Sequence, residues 1–109
     1  MDAQAFARAC REERDAMLAC YSDPDGNTEV SALIVRASLT AEQRSQVLAA
    51  LDTALTDAFY TLLLALDGAA SLGGEQQLYT LLDQSRNVVT AGSGSLEAAA
   101  WEAMQSNRL

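Results

Sequence analysis

Histidine and lysine are both missing from this chain of 109 residues, so each of its seven basic side chains is an arginine. Without histidine, a serine or cysteine nucleophile has no imidazole base, and zinc sites built from Cys and His fall with it. Cysteine is scarce as well. Cys10 and Cys20 lie on what reads as one helix, where a rise of ~1.5 Å per residue sets them roughly 15 Å apart; a disulfide needs Cα atoms within about 7 Å. They read as free thiols, no CxxC redox or zinc motif is present, and neither a cofactor nor a metal is expected. Long apolar runs are lacking too. The longest, Ala58 to Leu66 between Asp57 and Asp67, falls far short of the ~20 residues that span a bilayer, so no membrane span is expected. Met1 to Arg14 carries charge throughout, unlike the apolar stretch of a secretory signal, and a cytoplasmic location is the expectation.

What is present is acid. Fifteen Asp and Glu against seven Arg give a net charge of -8, and the arginines are scattered except for Arg8, Arg11 and Arg14. A surface that displaces counterions from phosphates needs clustered cations, so direct nucleic-acid binding is not expected. The same negative field attracts a basic protein and speeds its encounter, although plain solubility is the more ordinary meaning of an acidic surface. Alanine supplies 21 residues; alanine-rich, arginine-only usage is typical of bacterial genes of high GC content. Length and composition fit a single globular domain over residues 1–109, whose small size leaves much surface in water.

The patterning predicts a mainly α (α+β) fold: a helical domain with a long central helix and a small C-terminal β-hairpin followed by a short helix. Residues 3–21 carry a helical stripe at Phe6, Cys10, Met17 and Tyr21, interrupted by charge at Glu13 and Arg14, while the i,i+4 pairs Arg8–Glu12 and Arg11–Asp15 mark a solvated face. Ser22 to Thr28, with Pro24 and Asp25-Gly26-Asn27, is a turn that stops this helix. A second helix over 28–37 presents Val30, Leu33, Ile34 and Ala37 on one face. Thr40 with Gln43 forms a capping box that opens a helix over 40–67. From Ala58 onward that helix is apolar nearly all round, which predicts that protein surrounds it, and Gly68 ends it. Strands over 76–82 and 88–91, turning near Gln84 to Asn87, form the hairpin, with a helical turn over 76–82 as the rival reading. Ser95 is placed to cap a last helix over 95–105.

Few residues offer chemistry. Asp52 and Asp57, or Asp57 and Asp67, share the long helix. Asp57 is the leading carboxylate because it borders the most apolar turn, where partial burial would raise its pKa; a polar-face residue or a partner of Arg44 or Arg86 is the plainer reading. Asp23, Asp25 and Asn27 space oxygens like a calcium loop, but Thr28 and Ile34 stand where that loop needs Gly and Glu. Gly68 and Gly73 copy the spacing of a phosphate loop, yet Gly74 and Glu75 replace its Lys and Ser/Thr. Tyr60, Tyr79 and Trp101 are candidates for binding a partner, since aromatics with a polar tip are favoured at hot spots; each can equally close the core, the more frequent outcome for Trp101.

Residues 57–79, DAFYTLLLALDGAASLGGEQQLY, run from an apolar helix through Asp67-Gly68 and Gly73-Gly74 toward a strand. This segment resembles a group of small acidic bacterial proteins, some of toxin-immunity type. Together with the charge of -8 and the lack of a usable catalytic motif, the resemblance leads to the expectation of a non-enzymatic protein that binds another protein, as the immunity partner of a basic toxin would; Asp57, Tyr60, Tyr79 and Trp101, chosen on their own chemistry, are the candidate partner-binding residues. Two other readings stand beside it: a structural or regulatory homodimer, and a small-ligand binder or enzyme using a helix carboxylate.

Overall fold

The structure, a computed structural model, describes residues 1–106. Its elements run α1 (Ala3–Ser22), α2 (Glu29–Arg36), α3 (Ala41–Leu66), β1 (Leu81–Leu82), β2 (Val88–Thr90) and α4 (Ser95–Met104). The helix starts follow local chemistry. Asp2 accepts the Ala5 N–H at 2.8 Å to open α1. Thr28 with Ser31, and Thr40 with Gln43, form reciprocal capping boxes that open α2 and α3. Such a cap contributes about 1 kcal/mol by satisfying amides that the helix leaves orphaned. Between α1 and α2, Asp23 closes the turn by accepting the Asp25 N–H on its carboxylate and the Gly26 N–H on its carbonyl, each at 2.9 Å. A side chain at Gly26 would collide with the Cys20 carbonyl oxygen, so only glycine fits there.

α1 and α3 run antiparallel, tied at two levels. Near the middle, Arg14 Nε donates to Thr56 Oγ1 at 3.0 Å and its guanidinium pairs with the Asp52 carboxylate; at the far end Arg44 donates to the Ser22 carbonyl. Arg14 is 4% exposed, so the charge that interrupts the apolar stripe is itself buried. Its charge is tolerated in the seam because Thr56 and both the carboxylate and the carbonyl of Asp52 receive its donors.

α3 ends in a left-handed Gly68 (φ +78°), with the Gly68 and Ala69 amides donating back to the carbonyls of Ala65 and Leu64, the Schellman closure that glycine permits without strain. Beyond it, Asp67 does what Ser95 was expected to do. α4 begins after Gly94 with no side-chain cap of its own, and the Glu97 N–H instead donates to Asp67 Oδ2 at 2.9 Å, while Thr90 Oγ1 donates to Asp67 Oδ1. One buried carboxylate thus joins the exit of α3, strand β2 and the first turn of α4.

The core lies at this end of the molecule, where α4 packs on α1 and α3. Ala3 and Ala7 of α1, Leu63 of α3, and Leu96, Ala99, Ala100 and Met104 of α4 form one buried cluster, with Phe6, Cys10, Phe59 and Tyr60 against it. Alanine on both facing helices lets α1 and α4 approach closely. The antiparallel hairpin pairs Leu81 with Thr90 and Leu82 with Val88 across a register irregularity. It is shorter than expected: residues 76–80 form neither strand nor helix, and Leu78 lies over Gly68 and Gly92 while remaining 80% exposed.

The expectation that protein surrounds α3 from Ala58 to Leu66 holds on one side only, where Leu63 joins the core with Phe59, Tyr60 and Leu66 packed against it. Leu63 and Ala65 are buried there, but Ala58, Thr61 and Leu62 are exposed, and only 11% of the most apolar eighteen residues of α3 are buried. By length and composition alone, α3 is long and apolar enough to cross a bilayer, although its apolar residues are interrupted by Asp52 and Asp57.

Removing the Asp67 carboxylate strands a buried hydroxyl and a helix amide together. Asp67→Ala is expected to destabilise the fold by about 2–4 kcal/mol, read as a lower urea midpoint; an unchanged midpoint would show that α4 needs no cap. In the hairpin turn, a hydrogen bond from the N-terminal amine of Met1 and the amides of Asn87 and Ser85 hold Asp83 down to about 2. A depressed carboxylate stabilises the fold fully above its unfolded pKa near ~4 and loses that contribution as pH falls through its folded value. Carbonyl NMR of Asp83 should therefore titrate near pH 2, and a midpoint near that of a free aspartate would contradict the closed turn.

Candidate functional site

Two turns of helix, one from α3 and one from α4, meet at the surface beside the core. On α3, Asp57 and Tyr60 are three residues apart and so share a face; on α4, Glu97 and Trp101 are four apart and do the same. Tyr60, Gly94, Glu97, Ala98 and Trp101 line one open cleft of about 370 Å³. Tyr60 is half-buried against the core, whereas Trp101 is 45% exposed, which corrects the core reading of the tryptophan. Its position on the outer face of α4 follows from the helix period: Leu96, Ala100 and Met104 take the inner face, leaving Glu97 and Trp101 outside.

The structure therefore brings together two of the four residues marked from sequence. Asp57 is one turn from Tyr60 but exposed, which corrects the expectation of its partial burial. Tyr79 is half-buried in the irregular segment before β1 and does not line the cleft. Glu97 was missed. The signal was its spacing of four from Trp101, legible only if the outer face of α4 is known in advance.

A cleft walled by two aromatic rings and edged by a carboxylate accepts a cation: a guanidinium or ammonium over an indole face gains electrostatic attraction of about 0.5–2 kcal/mol, and Glu97 can pair with it. Gly94, left-handed at φ +88° with nothing within 4 Å of a side chain placed on it, keeps one wall low. The arrangement lacks a nucleophile with an adjacent base. The buried carboxylate nearby, Asp67, has both oxygens engaged by Thr90 and Glu97, which leaves it as a structural group.

A larger open groove of about 600 Å³ runs between the start of α1, β2 and α4, with Asp2, Gln4, Thr90, Ser93 and Glu102 among its lining residues. No ordered set of donors converges in it. Among the described residues, no three His, Cys, Asp or Glu side chains gather to hold a metal ion, and Asp23 of the calcium-like run is used to close its own turn. Cys10 and Cys20 are both free thiols. Arg11 and Arg14, which could have activated Cys10, are turned to Asp15, the Ala103 carbonyl, Thr56 and Asp52 instead.

No family model, curated protein or solved structure matches the chain. The cleft is thus read from its own chemistry.

The two thiols differ in a way that labelling can check. Burial against the core pushes the Cys10 thiol up and keeps it protonated, while Cys20 stands exposed near the end of α1. In the native protein an aromatic disulfide reagent should modify Cys20 promptly and Cys10 only on unfolding. Equal rates for the two would mean that α1 and α4 part readily.

Proposed function

We propose that this protein is a non-enzymatic, cytoplasmic binding protein whose partner is a basic protein, received at the cleft between α3 and α4, and that it acts in the manner of a toxin-immunity protein. The observation that carries the reading is the meeting of Tyr60 and Trp101, far apart in the chain, across one open cleft edged by Glu97. Their rings and the nearby Asp57 suit an arginine or lysine side chain projecting from a partner, and the net charge of -8 would speed its approach. An exposed tryptophan flanked by a tyrosine is also the composition of a binding hot spot. The non-enzymatic part rests on the lack of histidine and on the structural employment of Asp67. The cytoplasmic part rests on Asp52 and Asp57, because ionised groups along α3 are costly at bilayer depth.

Trp101 is the single tryptophan, so its fluorescence reports on this cleft alone. Titration with the protein encoded beside this one should shift the emission of Trp101, and raising the salt should weaken the binding. Trp101→Ala is expected to weaken capture about tenfold to a hundredfold, with Glu97→Gln giving a smaller loss. Absence of binding to that neighbour at every ionic strength would remove the immunity form of the reading. Binding that Trp101→Ala leaves intact would move the site elsewhere.

A further inference from the structure

The two ends of the molecule are built differently. From residue 15 to residue 55, the one buried residue is Ser31, and it is polar. This stretch holds the last part of α1, all of α2 and the first half of α3. Large apolar side chains are plentiful in it nonetheless: Ile34, Val47, Leu48 and Leu51 are only half-buried, and Leu33 and Val35 of α2 are 52% and 54% exposed. The reason is the packing. At the other end α4 lies across both α1 and α3, but here α2 rests on α1 and makes no comparable contact with α3.

The same end is acidic. Residues 15–55 carry six carboxylates against two arginines, so half of the chain's net charge of -8 falls on this stretch. Asp15 pairs with Arg11 and Arg14, Asp52 with Arg14, and Glu29 with Arg36. Among the described residues, Asp23, Asp25 and Glu42 have no cationic partner. Asp23 and Asp25 stand in the turn after α1 and Glu42 in the first turn of α3, and the bond from Arg44 to the Ser22 carbonyl holds those two places together. Both α2 and α3 therefore set out, with their uncovered apolar residues, from one acidic junction.

Charge decides what can cover this face. A second copy of the chain would bring the same excess of negative charge against it and be repelled. A basic partner gains twice, from the apolar area it buries and from the carboxylates it meets. A helix is the form that fits, because the neighbour that α3 lacks here is the one that α4 supplies at the other end, and the first half of α3 offers roughly 22 Å of length for it. We infer that this end is a docking surface for a basic amphipathic helix of a partner protein, laid with its apolar stripe on α2 and the first half of α3 and with its cations toward Asp23, Asp25 and Glu42. The surface is separate from the Tyr60–Trp101 cleft, which lies against α4 at the opposite end, and does not depend on it.

Cys20, exposed near the end of α1, can carry a dye that reports on this end, as Trp101 reports on the other. The probe is a synthetic helical peptide of ~15 residues, with leucine along one face and arginine on the other. Titrated into the labelled full chain at low salt, it should shift the dye's fluorescence, leave the emission of Trp101 unmoved, and lose affinity as salt is raised. Glu42→Gln combined with Asp25→Asn should weaken binding about tenfold, and Leu33→Arg combined with Val35→Arg about a hundredfold. The two α2 positions are exposed, so circular dichroism should show unchanged helix. A peptide of the same composition with its leucines scattered should bind at least about tenfold more weakly, since it has no stripe to bury. Failure of the striped peptide to bind overturns the inference, as does equal binding of the scattered one or binding that survives both sets of substitutions. A shift in Trp101 emission that Trp101→Ala abolishes together with the binding overturns it as well, and leaves the cleft as the site. So does a chain that sediments alone as a dimer which Leu33→Arg with Val35→Arg dissolves.

Discussion

The fold depends on a single carboxylate at the end of α3. Asp67 is buried, and burying a charge is costly unless donors replace its water. Here the donors are the Thr90 hydroxyl and the first-turn amide of Glu97, where the positive end of the α4 dipole adds to the attraction. The carboxylate fixes the direction in which the chain returns to the helices, and α4 then delivers Leu96, Ala99, Ala100 and Met104 to the core. Four of the seven residues of the buried cluster arrive on the helix that this contact caps.

Arg14 is the counterpart at mid-molecule. It and Asp67 are the two buried charged side chains among the described residues, and they mark the two ends of the well-packed region. Arg14 joins α1 to α3 by polar bonds at the level where apolar packing stops, and beyond it the helices lie together without closing a core. A long guanidinium suits that boundary, since it brings several donors to Thr56 and Asp52 from the neighbouring helix.

The sequence was legible where the signal was local. The Thr40–Gln43 capping box, the Gly68 helix end, the Pro24 turn and the hairpin connection after Leu82 all depend on residues within a few positions of one another, and each was placed within a residue or two. What was misread depends on partners far along the chain. Ser95 had the right chemistry for a cap, but Asp67, thirty residues before Glu97, takes the role. Arg14 looked like an interruption of an apolar stripe because nothing nearby reveals Thr56 and Asp52. The apolar run at Ala58–Leu66 suggested enclosure, yet hydropathy states only that a surface prefers to be covered, not that this chain covers it. At the cleft, Tyr60 and Trp101 were recognisable as types, and their meeting was not.

The position of Asp67 in the chain also orders events during synthesis. α1 and α3 leave the ribosome first, and their shared apolar faces have nothing to close on until α4 has emerged behind them. Until α4 has formed, the apolar faces of α1 and α3 stay uncovered, and transiently exposed surface of that kind is what holding chaperones act on. The residue that caps the last helix is thus made before that helix, and the core closes only once the two have met.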